Sequence, residues 1–405
     1  MSPPSAELPV TILNGFLGAG KTTLLQSLLA QARELSGIRL AVIVNEMSDL
    51  DIDGRILDTT EVLSRRDPLF VSIQAGSISG REGLEQFTAA IAQFQAGGAS
   101  HIVIETSGSS HPWPLLEAIR TQEGVRLHGF LSVVDTATLA HDHDCGRAIV
   151  PAASRHLAAG RRGIENLLAE QIMFANRILL SKMDRVPAER LREVAEAIHP
   201  INPGADILGM QWGNVKLVDL LSMPPYDHGH VAQLGAELTE WDRTHGTSSM
   251  ASAAEYRIDS VVISDPRPFH PQRLWDVYNH YLGEGIYRSK GFFWLPTRDR
   301  LQLLWNQTAG SVGLGVLNYW KVAALEDGSL NLSPAERTEM RRRLEGLSPE
   351  FGDRRCRLTV IGDRDGLGTF AEALRECFCS PEEIAQWKAG YAFEDPWPEA
   401  LPNRK

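Results

Sequence analysis

The stretch VTILNGFLGAGKTTLL, Val10 to Leu25, decides how the first half of this 405-residue chain folds. It fits G-x-x-x-x-G-K-[ST] through Gly15, Gly20, Lys21 and Thr22, between a run that predicts a strand and a segment with helical spacing. Glycines let backbone N–H groups wrap a phosphate chain, and the helix N-terminus adds donors and positive potential. The stretch therefore predicts a nucleotide phosphate site; a Gly-rich turn that binds nothing is the alternative.

Three side chains of this loop are expected to contact different parts of a nucleotide. Lys21 would reach the β and γ phosphates, Thr22 would place its hydroxyl on Mg²⁺, and Thr23 would support the α-phosphate side. Lys21 and Thr22 are therefore candidate catalytic residues. The candidate nucleotide-binding residues of the loop are Gly15, Gly18, Ala19, Gly20, Lys21, Thr22 and Thr23.

HIVIETSGSSHP, residues 101–112, predicts a buried strand that ends at Glu105. Ligands of open α/β sheets collect at the carboxyl ends of strands, so Glu105 could hold Mg²⁺ directly or through water. Gly108 could let the following loop close on the γ phosphate. Both are candidate catalytic residues; the alternative for Glu105 is that it caps the next turn.

RILLSKMD, residues 177–184, is a further apolar strand followed by a Lys-x-Asp pair. Asp184 could accept hydrogen bonds from the guanine ring N1–H and exocyclic amine, while Lys182 lies along the base. Adenine has no matching pair of donors on that edge, so discrimination is on the order of a few kcal/mol. The pair predicts a preference for GTP and GDP.

Short apolar runs alternate with helical patterns through the first half of the chain. The predicted strands are PVTIL, LAVIVNE, LFVSI, HIVIET, FLSVVD and RILLSK. Alternation of this kind predicts an α/β fold, a mostly parallel sheet with helices on both faces. We expect this domain over residues 1–222, a linker over 223–255, a smaller α+β domain over 256–387 and an irregular tail over 388–405.

Composition excludes several classes of protein. The chain is 43% hydrophobic and carries a formal charge of -11, which argues against general binding to nucleic acid or anionic membrane surfaces. It has no apolar run of about 20 residues and no signal-peptide pattern. We therefore expect a cytoplasmic protein, with its four cysteines reduced.

The ordered set of motifs resembles the CobW family of P-loop GTPases, a group of metal-insertion proteins related to the hydrogenase and urease nickel GTPases. The resemblance rests on GFLGAGKTTLL, VIVNEMSDLDID, ETSGSSHP, SVVDTATL, ANRILLSKMD, RPFHPQRLW, YRSKGFFWL and WNQTAGSVGL. It implies a GTPase domain followed by a small α+β domain. It also implies GTP hydrolysis coupled to delivery of a transition metal, usually zinc or cobalt, to a client metalloprotein.

Three positions depart from the family pattern. Ser181 replaces the asparagine that precedes Lys182, which removes an expected contact near guanine N7. The Cys-x-Cys-Cys motif is absent in both possible registers, which place Ser77, Ser79 and Gly80, or Ala75, Ser77 and Ile78, on the cysteine positions. His111 stands where relatives commonly carry an acidic residue. It could be a metal ligand, a hydrogen-bonding switch residue or a surface side chain.

Without those cysteines, a transition-metal site needs histidine and carboxylate ligands. The densest candidate is AHDHDCG, in which His141, His143 and Cys145 would face one side if the segment were extended. A polar surface loop is the alternative. Glu46 and Asp49 match acidic positions of the family and could bind metal or shape the Mg²⁺ environment.

Two functions remain open from the sequence. The first is a Mg²⁺-dependent GTPase that controls metal delivery to a client metalloprotein. The second is a nucleotide-dependent regulatory or assembly protein with no metal cargo. Neither predicts a nucleic-acid or membrane partner, and a homodimer is left open.

Overall fold

The computed structural model describes residues 7–45, 68–73, 81–245, 258–281, 285–308, 311–327 and 332–398. The chain divides into two compact units, Met1–Ile258 and Asp259–Lys405. No helix in the described ranges is long and apolar enough to cross a membrane.

The first unit contains a seven-stranded sheet of order β3-β2-β4-β1-β5-β6-β7. Every neighbouring pair is parallel, so the carboxyl ends of all seven strands lie at one edge. The mostly parallel sheet predicted from alternation is confirmed, and β7 is an additional edge strand. The strands are β1 (Leu8–Asn14), β2 (Leu40–Asn45), β3 (Phe70–Ile73), β4 (His101–Glu105), β5 (Val125–Asp135), β6 (Arg177–Ser181) and β7 (Asp206–Gly209).

Helices follow most of these strands, as a parallel sheet requires for its crossovers. They are α1 (Lys21–Glu34), α2 (Arg81–Ala96), α3 (Pro112–Thr121), α4 (Thr136–Asp142), α5 (Ile149–Ala158), α6 (Ile164–Met173), α7 (Ala188–Ile198), α8 (Leu217–Leu221) and α9 (His228–His245). Short 3₁₀ turns occur at Asp144–Gly146, Met183–Arg185 and His199–Ile201.

The apolar runs form buried central strands because helices cover both faces. Every residue of β2 and of β4 is buried. On one face, the core combines Leu24 and Leu28 of α1 with Val42 of β2 and Val103 of β4. Full burial of each such side chain contributes about 1.5–3 kcal/mol, so this core positions the start of α1 firmly against the sheet.

The predicted linker over residues 223–255 contains an 18-residue helix, α9. The sequence predicts a linker or surface excursion there because the pattern of strands and helices breaks after Ser222 into a Pro-rich stretch and then a polar run. The helix packs against the rest of the first unit: the Trp113 indole N–H donates to Thr239 Oγ1 at 3.1 Å, and Asp242 pairs with Arg162 at 2.8 Å. These are tertiary contacts that the local sequence does not reveal.

The second unit is the predicted α+β domain. Its five-stranded sheet has the order β11-β10-β9-β12-β8, with strands β8 (Ile258–Asp265), β9 (Ile286–Phe293), β10 (Leu301–Thr308), β11 (Ser311–Tyr319) and β12 (Cys356–Asp363). The β11–β10, β10–β9 and β9–β12 pairs are antiparallel. Helices are α10 (Pro271–Tyr281), α11 (Lys321–Glu326), α12 (Pro334–Leu344), α13 (Arg364–Glu376) and α14 (Pro381–Lys388). Strand β11 was not predicted, since two glycines interrupt its apolar pattern.

An aromatic core holds the second unit together. Phe292, Phe293 and Trp294 are buried in it with Trp305 from β10. Cys377 and Cys379 are also buried there.

Candidate nucleotide site

The phosphate loop connects β1 to α1 through backbone conformations that favour glycine. Gly15 has φ 141°, and a Cβ at this position would lie 2.2 Å from the Val133 carbonyl oxygen of β5. Gly18 and Gly20 have φ values of 75° and 107°. A side chain at Gly15 would collide with the sheet, so this glycine is required for the loop to leave β1 as it does.

Lys21 closes the phosphate loop from its first helical position. Its Nζ donates to the carbonyl oxygens of Gly15, at 2.7 Å, and Phe16, at 3.2 Å. The side chain is buried, so its charge faces the loop rather than bulk water. The ammonium group is thus held at the concave side of the turn that the motif predicts to bind phosphate.

Thr22 and Glu105 meet beside this loop. β1 and β4 are neighbouring parallel strands with Leu13 opposite Glu105, so the carboxylate lies next to the start of α1. The Thr22 hydroxyl donates to Glu105 Oε1 at 2.6 Å. Hydroxyl and carboxylate oxygens are the hard ligands that Mg²⁺ takes from protein, and the pair therefore fits such an ion.

The loop after β4 passes very close to the phosphate loop at Gly108. A Cβ on Gly108 would lie 2.6 Å from the backbone nitrogen of Leu17, so no side chain fits. The Gly108 carbonyl oxygen accepts from Gln171 Nε2 of α6 at 3.3 Å. Gly108 therefore allows the two loops to touch, which is the arrangement that a phosphate-responsive loop needs.

The turn after β6 places Lys182 and Asp184 at the same sheet edge. Lys182 adopts the left-handed conformation, with φ 53°, and its Nζ forms an ion pair with Asp135 Oδ2 at 2.5 Å. Asp135 also caps α4 by accepting from the backbone of Ala137. The side chain of Asp184 is exposed and available to a ligand at this edge.

His111 is a buried hydrogen-bonding residue at the start of α3. Only 5% of it is exposed, so it is not a surface side chain. Its Nδ1 accepts from the Trp113 backbone N–H at 3.2 Å, and its Nε2 lies 3.3 Å from Glu170 Oε2. Burial and then the Arg162 charge lower the pKa of His111 well below its usual value. The Nε2 atom also lies 3.2 Å from Arg162 Nη1, so it faces both members of the Arg162–Glu170 pair.

Arg162 joins His111 to helix α9. Its guanidinium pairs with Glu170, donates to Asp242 Oδ1 of α9 at 2.8 Å, and lies 5.2 Å from the centroid of the Trp241 ring. The side chains of Arg162, Glu170 and Asp242 are all at least 95% buried. The loop that follows Glu105 is therefore linked to α9 by a buried network of charges.

The HDHDC segment does not have the extended conformation that would place its ligands on one side. His141 is exposed in the last turn of α4, whereas His143 is buried and Cys145 lies in a 3₁₀ turn with φ 54°. The Cys145 thiol contacts Arg190 Nη1 at 3.1 Å. The three side chains thus do not face one side, because the chain is helical and then sharply turned here. Among all described residues, no group of three or more His, Cys, Asp or Glu side chains is placed to hold a metal ion.

The predicted metal positions Glu46 and Asp49, together with residues 74–80, where the cysteine motif is absent, lie outside the described residues.

All four cysteines of the chain are described, and all are buried. Burial raises the pKa of both Cys377 and Cys379 to about 12, so these thiols are protonated at neutral pH.

Several residues of the site were not predicted from the sequence. Asp135 could have been found, since it ends the SVVD strand as Glu105 ends HIVIE. Arg162, Gln171 and Asp242 carry no such signal, because their roles depend on partners that are distant along the chain.

The phosphate loop lies at the carboxyl edge of a parallel sheet and is closed by a lysine, and a threonine hydroxyl meets a carboxylate beside it. These features define a P-loop nucleotide-binding protein. Within that class, the chain belongs to the CobW family of P-loop GTPases. Residues 9–209 match the family model "CobW/HypB/UreG, nucleotide-binding domain", and residues 258–378 match "Cobalamin synthesis protein cobW C-terminal domain".

The chain is similar to several named proteins. Zinc-regulated GTPase metalloprotein activator 1 of Dictyostelium discoideum is 29% identical over 93% of this chain and 81% of its own length. Zinc chaperone CobW of Sinorhizobium sp. is 30% identical over 47% of this chain and 55% of its own length. The crystal structure of Zn(II)-bound YjiA GTPase from E. coli is 18% identical, covers 92% of this chain and 99% of that chain, and has a TM-score of 0.32, too low to add to the fold assignment.

Proposed function

We propose that this protein hydrolyses GTP to GDP and phosphate with Mg²⁺, in the cytoplasm, and that the nucleotide cycle controls delivery of zinc or cobalt to a client metalloprotein. The observation that carries the hydrolytic part is the 2.6 Å contact between Thr22 Oγ1 and Glu105 Oε1 beside the phosphate loop. Thr22 lies in the first turn of α1 and Glu105 ends β4, yet their side chains meet beside the phosphate loop.

The residues around the loop have distinct roles in this proposal. Thr22 and Glu105 would hold Mg²⁺, which supplies charge neutralisation at the β and γ phosphates. Lys21 would exchange its two bonds to the Gly15 and Phe16 carbonyls for bonds to phosphate oxygens. The loop at Gly108, which already touches the phosphate loop, would respond to the presence of the γ phosphate.

Guanine selection is assigned to Asp184. Its carboxylate would accept from two N–H donors on the guanine edge, whereas adenine offers no such pair. The ion pair of Lys182 with Asp135 holds the turn that presents Asp184. This part of the proposal depends on the left-handed turn after β6 rather than on the phosphate loop.

Metal cargo is supported by the two curated relatives described above, since both of their names include zinc. Histidine or carboxylate ligands would have to replace the thiolates, and Glu46 and Asp49 are the candidates that match the family's acidic positions. The second candidate function, a regulatory or assembly protein without metal, is favoured by a specific observation. All four cysteines are buried inside the fold, where their thiols do not face a ligand in solution.

Metal affinity measured in both nucleotide states separates the two functions. Purified full-length protein would be titrated with Zn²⁺ and Co²⁺ against a chromophoric chelator, with Mg·GDP or with Mg and a nonhydrolysable GTP analogue. We expect tighter binding in one nucleotide state and weaker binding in a Glu46→Gln/Asp49→Asn variant. His199→Ala, which alters an exposed histidine in the 3₁₀ turn after α7, is the matched control and should bind as the wild type does.

Equal metal affinity in both nucleotide states would reject the delivery function. If the wild type hydrolyses GTP but binds metal equally well in both nucleotide states, the assembly function stands. If the wild type does not bind GTP, both functions are rejected.

A further inference from the structure

Trp212 combines two unusual properties in the loop after β7. Its side chain is 81% exposed, the largest exposure of any large hydrophobic residue in the part of the chain that the structure describes. Its backbone lies in the left-handed region, with φ 51°, which non-glycine residues seldom adopt. A bulky apolar side chain held in water on a disfavoured backbone points to a ligand contact.

The following residue fixes this loop against the start of α1. Gly213 has φ 73°, and a Cβ there would lie 2.6 Å from the carbonyl oxygen of Thr23. Gln31 of α1 donates to the Val215 carbonyl and accepts from the Leu217 N–H, each at 2.8 Å. The loop is therefore anchored to the helix that begins with the phosphate-binding residues. Trp212 directly precedes Gly213, the residue that packs against Thr23.

The preceding residues fix the same loop against the turn that carries Asp184. The Met210 N–H donates to the Leu180 carbonyl of β6 at 2.8 Å, which extends the pairing of β6 and β7. A Cβ on Gly209 would lie 2.7 Å from the Met183 sulfur, so the two turns are in contact. The Trp212 loop thus lies between the residue assigned to the base edge and the residue assigned to the α-phosphate side.

We propose that the Trp212 indole is a stacking platform for the purine ring of the bound nucleotide. This inference rests on the proposed function, because it places the base beside Asp184. Stacking uses the flat face of the ring, whereas Asp184 reads its hydrogen-bonding edge. Trp212 therefore raises the affinity for all purine nucleotides by a similar factor, and Asp184 sets the preference among them.

Nucleotide affinity of the full chain tests the platform. GDP and inosine diphosphate, which lacks the exocyclic amine, would be titrated by calorimetry into the wild type and Trp212→Ala, Trp212→Phe and Leu208→Ala variants. We expect Trp212→Ala to weaken both nucleotides by about tenfold or more with their ratio unchanged. Trp212→Phe keeps a flat ring and should recover most of the affinity. Leu208, 44% exposed on the neighbouring edge strand, is the control and should have no effect.

Fluorescence gives a second measurement, which reports on the Trp212 indole directly. GDP should quench part of the wild-type tryptophan emission, and this part should be missing in Trp212→Phe. The alanine and phenylalanine variants both retain a Cβ, so neither relieves the left-handed backbone.

The outcomes distinguish the two proposals. If the wild type binds GDP and Trp212→Ala binds it equally well, the stacking platform is rejected and the nucleotide function stands. A loss confined to GDP would also reject the platform, because it would assign Trp212 to the base edge. If the wild type binds neither nucleotide, the proposed function itself has failed.

Discussion

Ser181, which replaces the asparagine of the family pattern, contacts the phosphate loop. Its hydroxyl donates to the Ala19 carbonyl at 2.6 Å and lies 3.2 Å from the Val134 carbonyl. A hydroxyl has one proton, so the shorter contact is the hydrogen bond. At the scale of single residues, this serine ties the end of β6 to the loop between β1 and α1.

Asp184→Asn should change which base the protein prefers. An amide presents one donor and one acceptor, whereas guanine offers two donors to the carboxylate. Xanthine has a carbonyl in place of the amine and suits the amide. We expect GTP affinity to fall by tenfold or more and xanthosine triphosphate affinity to rise, as measured by calorimetry with both nucleotides.

Asp206→Asn is the control for this substitution. Asp206 is an exposed carboxylate that starts β7 and pairs with Arg177 at 3.2 Å. Its amide variant should bind GTP as the wild type does. Unchanged GTP affinity in Asp184→Asn would remove the base assignment.

His101 should make stability depend on pH. Burial, then the charges of His128 and Arg126, lower the pKa of His101 to about 3, and its Nε2 contacts Thr11 Oγ1 at 2.8 Å. The unfolded chain takes up a proton below about pH 6.5 while the folded chain does not, so stability falls with acidity in that range. Between pH 7.5 and 5.5 the His101 contribution to this loss is about 1.4 kcal/mol.

Urea denaturation of the wild type and His101→Gln at both pH values measures this contribution. The glutamine keeps a polar group for Thr11 but does not titrate. The variant should therefore lose about 1.4 kcal/mol less of its free energy of unfolding on acidification than the wild type does. His141→Gln, on the exposed end of α4, should lose as much stability as the wild type. Identical pH slopes for wild type and His101→Gln would contradict the prediction.

At the scale of secondary-structure elements, the loop between β4 and α3 has two sets of contacts. On one side, Gly108 touches the phosphate loop; on the other, His111 contacts Glu170 and Arg162. Arg162 in turn pairs with Asp242 of α9. A movement of this loop would therefore disturb a buried ion network, and α9 is the element at its far end.

Asp242→Ala should destabilise the first unit strongly. It leaves the buried Arg162 guanidinium without one of its carboxylate partners, and breaking a buried ion pair costs about 3–5 kcal/mol. The free energy of unfolding from urea titration gives the size of the effect. Hydrogen exchange should show the largest loss of protection in α9.

Glu240→Ala is the matched control on the same helix. Glu240 and Arg243 form an exposed pair three residues apart, so solvent screens their interaction. This variant should unfold as the wild type does. An equal loss of stability in the two variants would show that α9 depends on its own surface pairs rather than on Arg162.

At the scale of the whole molecule, the two units carry different parts of the family pattern. The nucleotide-binding match ends at residue 209, and the C-terminal match begins at residue 258. All residues assigned to phosphate, Mg²⁺ and base lie in the first unit. The second unit has its own aromatic core, and no function is assigned to its residues.

The order of strands and helices followed from local patterns because each buried strand needs a continuous apolar run and each helix an apolar stripe. Strand β11 and helix α9 were not predicted from such patterns. Glycines interrupt the apolar run of β11, and α9 is held by contacts with Trp113 and Arg162 rather than by a strong apolar stripe of its own.

The sequence by itself determined the phosphate loop, since Gly15, Gly20, Lys21 and Thr22 act within one short segment whose geometry is local. It also placed Glu105 and Asp184 at strand ends. Only the tertiary structure decided that Thr22 meets Glu105, that His111 is buried against Glu170, and that His143 and Cys145 are separated by a turn. Those relations depend on which strands are neighbours and on how the chain turns between them, and spacing along the sequence does not contain either.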